Sequence, residues 1–324
     1  MRAYVVRRLL LAIVTVFLVS VIVFLMVRLI PGNIVDAIIA QQMQIGETSD
    51  TREIEAARAT IEAQLGLDKP ILQQYAEWIA RVGRGDLGDS LWRRTPVIED
   101  IAIRWPVTLE LGVLGLLIGQ LIAIPIGIYS AQRQDTVSDY AARSVAIGLV
   151  ALPGFWVGTL VIVFPSIWWG YQPPITYVPF FEDPLANLQM FLVAAAVLGM
   201  SMSGGTMRMM RTTMLEVLRQ DYVRTAWSKG LKEEIVVARH ALKNALIPIA
   251  SIVGLQLPLL LGGTVIIEQI FNLPGMGRLL LESVVTRDYT VVSGVVLLFG
   301  TFQVVINLLV DLTYAVLDPR IHYQ

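Results

Sequence analysis

Residues that could carry covalent chemistry are scarce in this sequence. The 324 residues contain no cysteine and two histidines, His240 and His322, both in polar segments. The absence of cysteine removes disulfides, thiolate metal ligands and cysteine nucleophiles, and two separated histidines argue against a buried histidine metal site. No Gly-x-x-x-x-Gly-Lys-Ser/Thr pattern occurs, so the chain has no P-loop of its own. The sequence therefore predicts no catalytic residue, no metal site and no cofactor bound by this chain.

A few polar side chains stand within long apolar stretches. Glu110 follows Pro106, a typical first helical residue, so we expect its carboxylate near a helix start at the membrane interface, in a structural role. Four amides lie deeper in the runs. They could line a transport path, or they could form hydrogen bonds between helices. They are Gln120, Gln256, Gln303 and Asn307. Gly112, Gly115 and Gly119 favour close packing of helices.

The elements that must position these residues are membrane-spanning helices. The chain is 55% hydrophobic and 16% charged, with a mean hydropathy of +0.65, which is typical of integral membrane proteins. About 20 apolar helical residues cross the hydrocarbon layer. Six runs meet that length: Leu9–Val27, Leu111–Ala131, Ser144–Trp169, Pro184–Met207, Asn244–Ile267 and Tyr289–Val310. The sequence therefore predicts an all-α membrane protein with six transmembrane helices, and kinks or early ends at the prolines of the third and fifth runs.

Lys and Arg residues predict how these helices are oriented. Fourteen fall on the side of the two termini and three on the other side, when the long loop after the first run is left out. A loop of that length carries little weight in the positive-inside rule. Both termini are therefore predicted to be cytoplasmic, with the first run as an uncleaved anchor. We expect residues 1–30 to form the N-terminal tail and first helix, 31–105 an external loop, and 106–324 a five-helix core with a cytoplasmic loop at 208–246.

The external loop is predicted to be partly helical. The stretches IEAARATIEAQLGL (54–67) and PILQQYAEWIARV (70–82) place apolar residues at helical spacing. Pro70 marks a helix start, and Gly83 and Gly85 mark its end. Turn-forming residues in Gln44–Thr51 predict an irregular loop.

Residues 208–246, called here the Gly230 segment, are charged and amphipathic although they lie between two apolar runs. From Leu231 onward, apolar residues recur four, three, four and three positions apart, which predicts a helix with one apolar stripe. The stripe consists of Leu231, Ile235, Ala238, Leu242 and Ala245. A preceding helix is expected to end at Gly230, because glycine tolerates the positive φ that lets a second helix begin at an angle.

The residues alone leave three interpretations of the Gly230 segment open. It could be an ordinary cytoplasmic hairpin, or a helix that lies on anionic lipid through its Lys and Arg. It could also be a rigid helix–turn–helix that is presented to a soluble partner.

The pattern Thr225-Ala226-x3-Gly230, followed by an amphipathic stretch between the fourth and fifth runs, resembles the EAA loop of ABC-importer permeases. The generic Glu-Ala-Ala is here Arg224-Thr225-Ala226, and the ending RHALKNALIP resembles the peptide/nickel branch of those permeases. Five further stretches resemble, in the same order, the B-type subunit of dipeptide/oligopeptide permeases. They are RLIPGN (28–33), LGLDKPILQQYAEWI (65–79), GDLGDSL (85–91), TPVIEDIAIRWPVTLELG (95–112) and FNLPGMGRLLLESVVTRDYTVV (271–292).

The resemblance implies a type I ABC importer permease in a prokaryotic plasma membrane, which moves di- or oligopeptides by alternating access. It implies a second permease subunit, two ATPase subunits that hold ATP and Mg²⁺, and an external substrate-binding protein. The implied ATPase-coupling residues are Arg224, Thr225, Ala226, Gly230, Leu231, Ile235, Arg239, Ala241 and Asn244. The implied residues facing the binding protein are Leu273, Pro274, Gly275, Met276 and Gly277.

Other functions fit the sequence less well. Within the same family the cargo could instead be a nickel chelate, glutathione or an oligosaccharide. An ion-coupled secondary transporter would need coupling-ion sites near the membrane midplane, and ionisable residues deep in the six runs are scarce. An intramembrane enzyme would need a catalytic constellation, for which the runs hold no cysteine, histidine or paired aspartates.

Overall fold

The computed structural model describes residues 2–29, 35, 39, 54–56, 58–59, 69–172, 174 and 176–317. The predictions for Gln44–Thr51 and for most of residues 54–67 lie outside these residues. Within them the main helices are α1 (Arg2–Leu29), α2 (Ile71–Val82), α3 (Val97–Gln132), α4 (Val137–Ala151), α5 (Gly154–Trp169), α6 (Pro184–Leu218), α7 (Asp221–Ser228), α8 (Glu233–Ile235), α9 (Leu242–Ile270), α10 (Met276–Val285) and α11 (Tyr289–Leu317). A π-helical turn, Val236–Ala241, joins α8 to α9.

The prediction of an all-α membrane protein is confirmed, and the described part of the structure has five or six helices for the six predicted spans. Five helices in the described residues are long and apolar enough to cross a membrane, and α4 with α5 makes a sixth if that bent pair counts as one span. The pair is bent by 97° at Leu152, whose backbone is extended because a residue before proline is pushed out of the helical region. Pro153 therefore breaks the third run, as predicted. Pro248 and Pro258 lie inside α9 without ending it.

The second run begins earlier than its apolar pattern indicated. Helix α3 starts at Val97, and Glu99 and Asp100 lie in its first turn, where carboxylates interact favourably with the helix dipole. The prediction that Pro106 is the first helical residue is wrong, because Pro106 lies inside α3. Glu110 therefore stands more than three turns into the helix, and it is half-buried. By contrast, the predicted helix start at Pro70 and end at Gly83 are confirmed by α2.

The chain divides into two compact units, and the first contains Met1–Val5, Ile103–Leu279 and Val305–Gln324. Its core joins α3, α6 and α9 through buried residues such as Leu111, Phe191 and Leu260. The glycines predicted to favour close packing lie where α3 crosses α6. A Cβ added at Gly119 would stand 2.8 Å from the carbonyl oxygen of Gly199, so the two backbones touch.

Amides join the same helices, as one of the two interpretations predicted. Gln120 donates from Nε2 to Oε1 of Gln256 at 3.0 Å. Gln256 in turn donates to Thr206 Oγ1 at 3.1 Å. These bonds link α3, α9 and α6, so both glutamines have a packing role.

Gly199→Val should destabilise the first unit, because the added side chain would enter the space filled by the α3 backbone. We expect a loss of about 1–3 kcal/mol in the free energy of unfolding, the usual cost of overpacking. Gly205→Val in the same helix is the matched control, since a Cβ there meets no described atom within 4 Å. Thermal unfolding of both detergent-purified variants measures the difference. Equal midpoints would contradict the close contact of α3 with α6.

The second unit contains Val6–Ala102 and Leu280–Val304. Helix α2 packs on α1, where the Tyr75 ring lies 5.2 Å from that of Phe24 and the Tyr75 hydroxyl bonds Ser20 Oγ at 2.7 Å. The GDLGDSL stretch (85–91) then reaches the start of α11. There Ser90 donates to the buried carboxylate of Asp288 at 2.5 Å.

Candidate functional site

The Gly230 segment is a helix–turn–helix, as the sequence predicted. Helix α7 ends at Ser228, and Gly230 has a φ of +77°, a conformation that glycine adopts without steric cost. The second helix begins at Glu233 with α8, so the predicted start at Leu231 is wrong by two residues. A Cβ on Gly230 would meet no atom within 4 Å among the described residues. The turn therefore projects from the packed body of the first unit.

One side of this helix–turn–helix is buried against α6. Val223, Ala226 and Val236 form a small apolar cluster with Val217 and Leu218. Asn244 Nδ2 also donates to the Tyr222 hydroxyl at 2.7 Å, which ties α9 to α7. These contacts fix the angle between the two helices and attach the segment to α6 and α9.

The predicted apolar stripe is not a single surface. Leu231 and Ile235 are 37% and 43% exposed, and Ala238 is also exposed, whereas Ala245 is buried. The physical reason is the π-helical turn Val236–Ala241, whose i→i+5 bonds shift the helix face that follows. The buried face consists instead of Val236, Val237, Ala241, Ala245 and Ile249.

Four large apolar side chains of the Gly230 segment are partly exposed. They are Tyr222 and Trp227, which are 42% and 40% exposed, with Leu231 and Ile235. The Arg224 side chain of the same segment is 69% exposed. Of the nine predicted coupling residues, Ala226 and Ala241 are buried. The remaining seven are exposed: Arg224, Thr225, Gly230, Leu231, Ile235, Arg239 and Asn244.

The turn Leu273–Gly277, called here the LPGMG turn, is mostly buried in the first unit. Leu273 and Met276 are both fully buried, and Gly275 and Gly277 are buried as well. Pro274 is half-buried and Asn272 beside it is exposed. The sequence predicted this turn as a contact surface, but the structure leaves only a small part of it accessible.

The buried carboxylate of Glu268 holds the LPGMG turn in place. Its Oε2 accepts hydrogen bonds from the backbone N–H groups of Gly277 at 2.7 Å and Arg278 at 3.1 Å. Its Oε1 accepts from Thr108 Oγ1 at 2.6 Å, and the same hydroxyl accepts from Met276 N at 2.8 Å. Glu268 is fully buried, so one carboxylate binds the first turn of α10 to α3.

Sequence reasoning missed Glu268 and a second buried carboxylate, Asp139. Arg211 donates to both Asp139 oxygens at 2.7 and 2.6 Å, and Ser130 donates to the same group at 2.5 Å. Both carboxylates lie near the ends of apolar runs. A charged residue there was interpreted only as the end of a predicted membrane span. A carboxylate next to a Pro-Gly turn or an interhelical turn was the available signal, because such a group can accept exposed backbone N–H groups.

The fold and the Gly230 segment define the class: a multi-pass helical membrane protein with exposed apolar side chains on a loop between two spans. Residues 123–323 match the family described as binding-protein-dependent transport system inner membrane component. Residues 1–112 match the N-terminal part described for membrane components of such systems. The chain belongs to this family of ABC transporter permeases, which confirms the resemblance.

Relatives are similar over the full length of the chain. A putative peptide transport system permease protein of Brucella suis biovar 1 is 38% identical over 324 residues, with all of both chains covered. The dipeptide transport system permease protein DppB of Escherichia coli K12 is 36% identical over 347 residues, again with both chains covered completely. The glutathione transport system permease protein GsiC of Escherichia coli O6:H1 is 36% identical over 321 residues and 99% of each chain.

Proposed function

We propose that this chain is a permease subunit of an ATP-driven importer of di- or oligopeptides in a prokaryotic plasma membrane. The observation that carries the proposal is full-length similarity to permeases named for peptide and dipeptide transport. The exposed apolar side chains around Gly230 support it, because large apolar side chains that stay accessible on an interhelical loop are suited to contact with a soluble partner. The chain forms half of the translocation path and pairs with a second permease.

Two ATPase subunits bind the Gly230 segment in this proposal, with both termini on the same cytoplasmic side. They hold the ATP and Mg²⁺, and this chain hydrolyses no nucleotide. The seven exposed coupling residues contact the ATPase, while Ala226 and Ala241 pack the segment against the spans. Closure of the ATPase dimer moves α7, and the contacts of Val223, Val236 and Asn244 pass that motion to α6 and α9. The spans then alternate between inward-open and outward-open states.

An uptake measurement with labelled substrates tests the cargo. Membrane vesicles that contain the chain with its second permease, ATPases and binding protein should accumulate labelled di- and tripeptides in an ATP-dependent manner. Glutathione is the second candidate, because a glutathione permease is 36% identical over nearly the whole chain. Uptake of glutathione without uptake of other peptides would replace the peptide assignment. Uptake driven by an ion gradient without ATP would contradict the importer class.

A substrate-binding protein docks near the LPGMG turn on the external side, through the accessible atoms of Pro274 and Asn272. Pro274→Lys should therefore reduce the stimulation of ATP hydrolysis by the binding protein about fivefold or more, since a disrupted interface contact commonly costs over 1 kcal/mol. Val285→Lys is the control for an added exposed lysine, because Val285 is 82% exposed. Unchanged stimulation in Pro274→Lys would contradict docking at this turn.

A further inference from the structure

A cavity with a basic rim lies beside the ion pair of Asp139 and Arg211. Its volume is about 260 Å³. It is lined by the end of α3, by α4 and by the C-terminal half of α6. The lining residues that matter are Arg143, Arg208, Arg211, Ala146 and Met207. Ala146 and Met207 are buried and apolar. The cavity therefore has an apolar floor, and the arginines form its charged mouth.

Two of the three arginines contribute uncompensated charge. Arg211 is neutralised by Asp139, which is fully buried and accepts two bonds from its guanidinium. Arg143 and Arg208 are both exposed, and no carboxylate of the described residues lies within ion-pair distance of either. Arg143 instead lies over the Tyr140 ring, 5.3 Å from its centroid. The mouth therefore carries two positive charges that attract an anion.

An apolar surface continues from this mouth along α4. Arg143, Ile147 and Val150 are spaced four and three residues apart, so they share one helix face. Ile147 is 63% exposed and Val150 is 55% exposed. The helix belongs to the bent pair that is apolar enough to enter the membrane. A ligand that fits both surfaces carries an anionic head and a hydrocarbon tail.

We propose that this cavity binds an anionic glycerophospholipid. Arg143 and Arg208 hold the phosphate, because guanidinium groups match phosphate oxygens in charge and geometry. One acyl chain lies along Ile147 and Val150. Basic pockets between transmembrane helices recognise lipid headgroups in this way. The bound lipid fills the space between α4 and α6.

Native mass spectrometry of the full chain tests the site. The chain is purified in detergent and mixed with phosphatidylglycerol or with phosphatidylcholine, which shares the tail but has no net charge. Phosphatidylglycerol should bind the wild type in preference, and Arg143→Gln with Arg208→Gln should weaken it about 30-fold, from roughly a fivefold loss per arginine near the headgroup. Arg133→Gln, in the exposed turn after α3, is the matched charge control and should bind like the wild type.

Three outcomes overturn the proposal. Equal binding of the two lipids by the wild type would overturn it. This outcome needs no variant and so does not depend on the stability of the double substitution. Equal loss in Arg133→Gln would show a diffuse charge effect. Displacement of the lipid by millimolar inorganic phosphate would show that the arginines take a free anion. The single substitution Arg208→Gln, with an intermediate loss expected, serves if the double variant fails to fold.

Discussion

Gly230→Trp should abolish ATP-driven uptake while leaving the chain inserted in the membrane. Gly230 stands at the tip of the turn between α7 and α8 with a φ of +77°. A bulky side chain there would project from the exposed turn between the helices that carry the accessible side chains of Tyr222, Trp227, Leu231 and Ile235. In the proposed complex this turn contacts the ATPase, so the indole would hold the two surfaces apart. We expect uptake to fall at least tenfold, the effect of about 1.4 kcal/mol or more on the interface.

Gly230→Asn is the control with a small side chain and little backbone strain. A non-glycine residue in the left-handed region costs about 1–2 kcal/mol, and asparagine is the residue that tolerates it best. Asparagine should therefore keep the turn and most of the uptake. The amount of chain in the membrane should be similar for both variants, because no described atom lies within 4 Å of a Cβ at this position, whereas Gly230→Trp should melt at a lower temperature because of the strain at positive φ. Normal uptake by Gly230→Trp would contradict the proposed coupling role of the turn.

The length of the apolar runs predicted the spans, because burial in lipid requires long apolar helices whatever their partners. It placed the starts of α6 and α11 correctly, at Pro184 and Tyr289. The start of α3 was wrong because Val97–Arg104 is too polar to count as a span, although it continues the same helix. Apolar content detects the part of a helix that is in lipid, whereas backbone hydrogen bonding decides where the helix begins.

The details of the candidate sites depended on contacts that a sequence pattern does not contain. Gly230 was recognisable because a turn that needs positive φ selects glycine. The division of the predicted stripe was not recognisable, because the π-helical turn Val236–Ala241 is set by how Val236, Val237 and Ala241 pack in the fold. The LPGMG turn was expected to be accessible because the family resemblance implies that it faces the binding protein. Its glycines are needed instead for close approach to buried groups.

The LPGMG turn should be probed by single substitutions, because most of it is buried. Replacing the whole turn by a flexible linker would remove Leu273 and Met276 from the core of the first unit. Loss of activity in such a variant would report on folding as much as on docking. Substitution at the accessible Pro274 avoids this ambiguity, whereas Glu268 is the position that tests what holds the turn.

Glu268→Leu should detach the LPGMG turn from α3 and destabilise the first unit. The leucine accepts no hydrogen bond, so the backbone N–H groups of Gly277 and Arg278 and the hydroxyl of Thr108 lose their acceptor. A buried donor without an acceptor costs about 1–3 kcal/mol, so three such groups cost roughly 3–9 kcal/mol before relaxation. Glu268→Gln should cost much less, because one amide oxygen still accepts from the two N–H groups while the amide nitrogen faces a hydroxyl that can rotate.

Gly275→Ala tests the same contact from the other side. A Cβ on Gly275 would overlap the Glu268 carboxylate, whereas a Cβ on Gly262 of α9 meets no described atom within 4 Å. Gly275→Ala should therefore lower the melting temperature in detergent, and Gly262→Ala should leave it unchanged or raise it. If the carboxylate holds the turn, the variants rank as Glu268→Leu below Gly275→Ala and both below Glu268→Gln. A wild-type melting temperature for Glu268→Leu would mean that apolar packing of Leu273 and Met276 fixes the turn without the carboxylate.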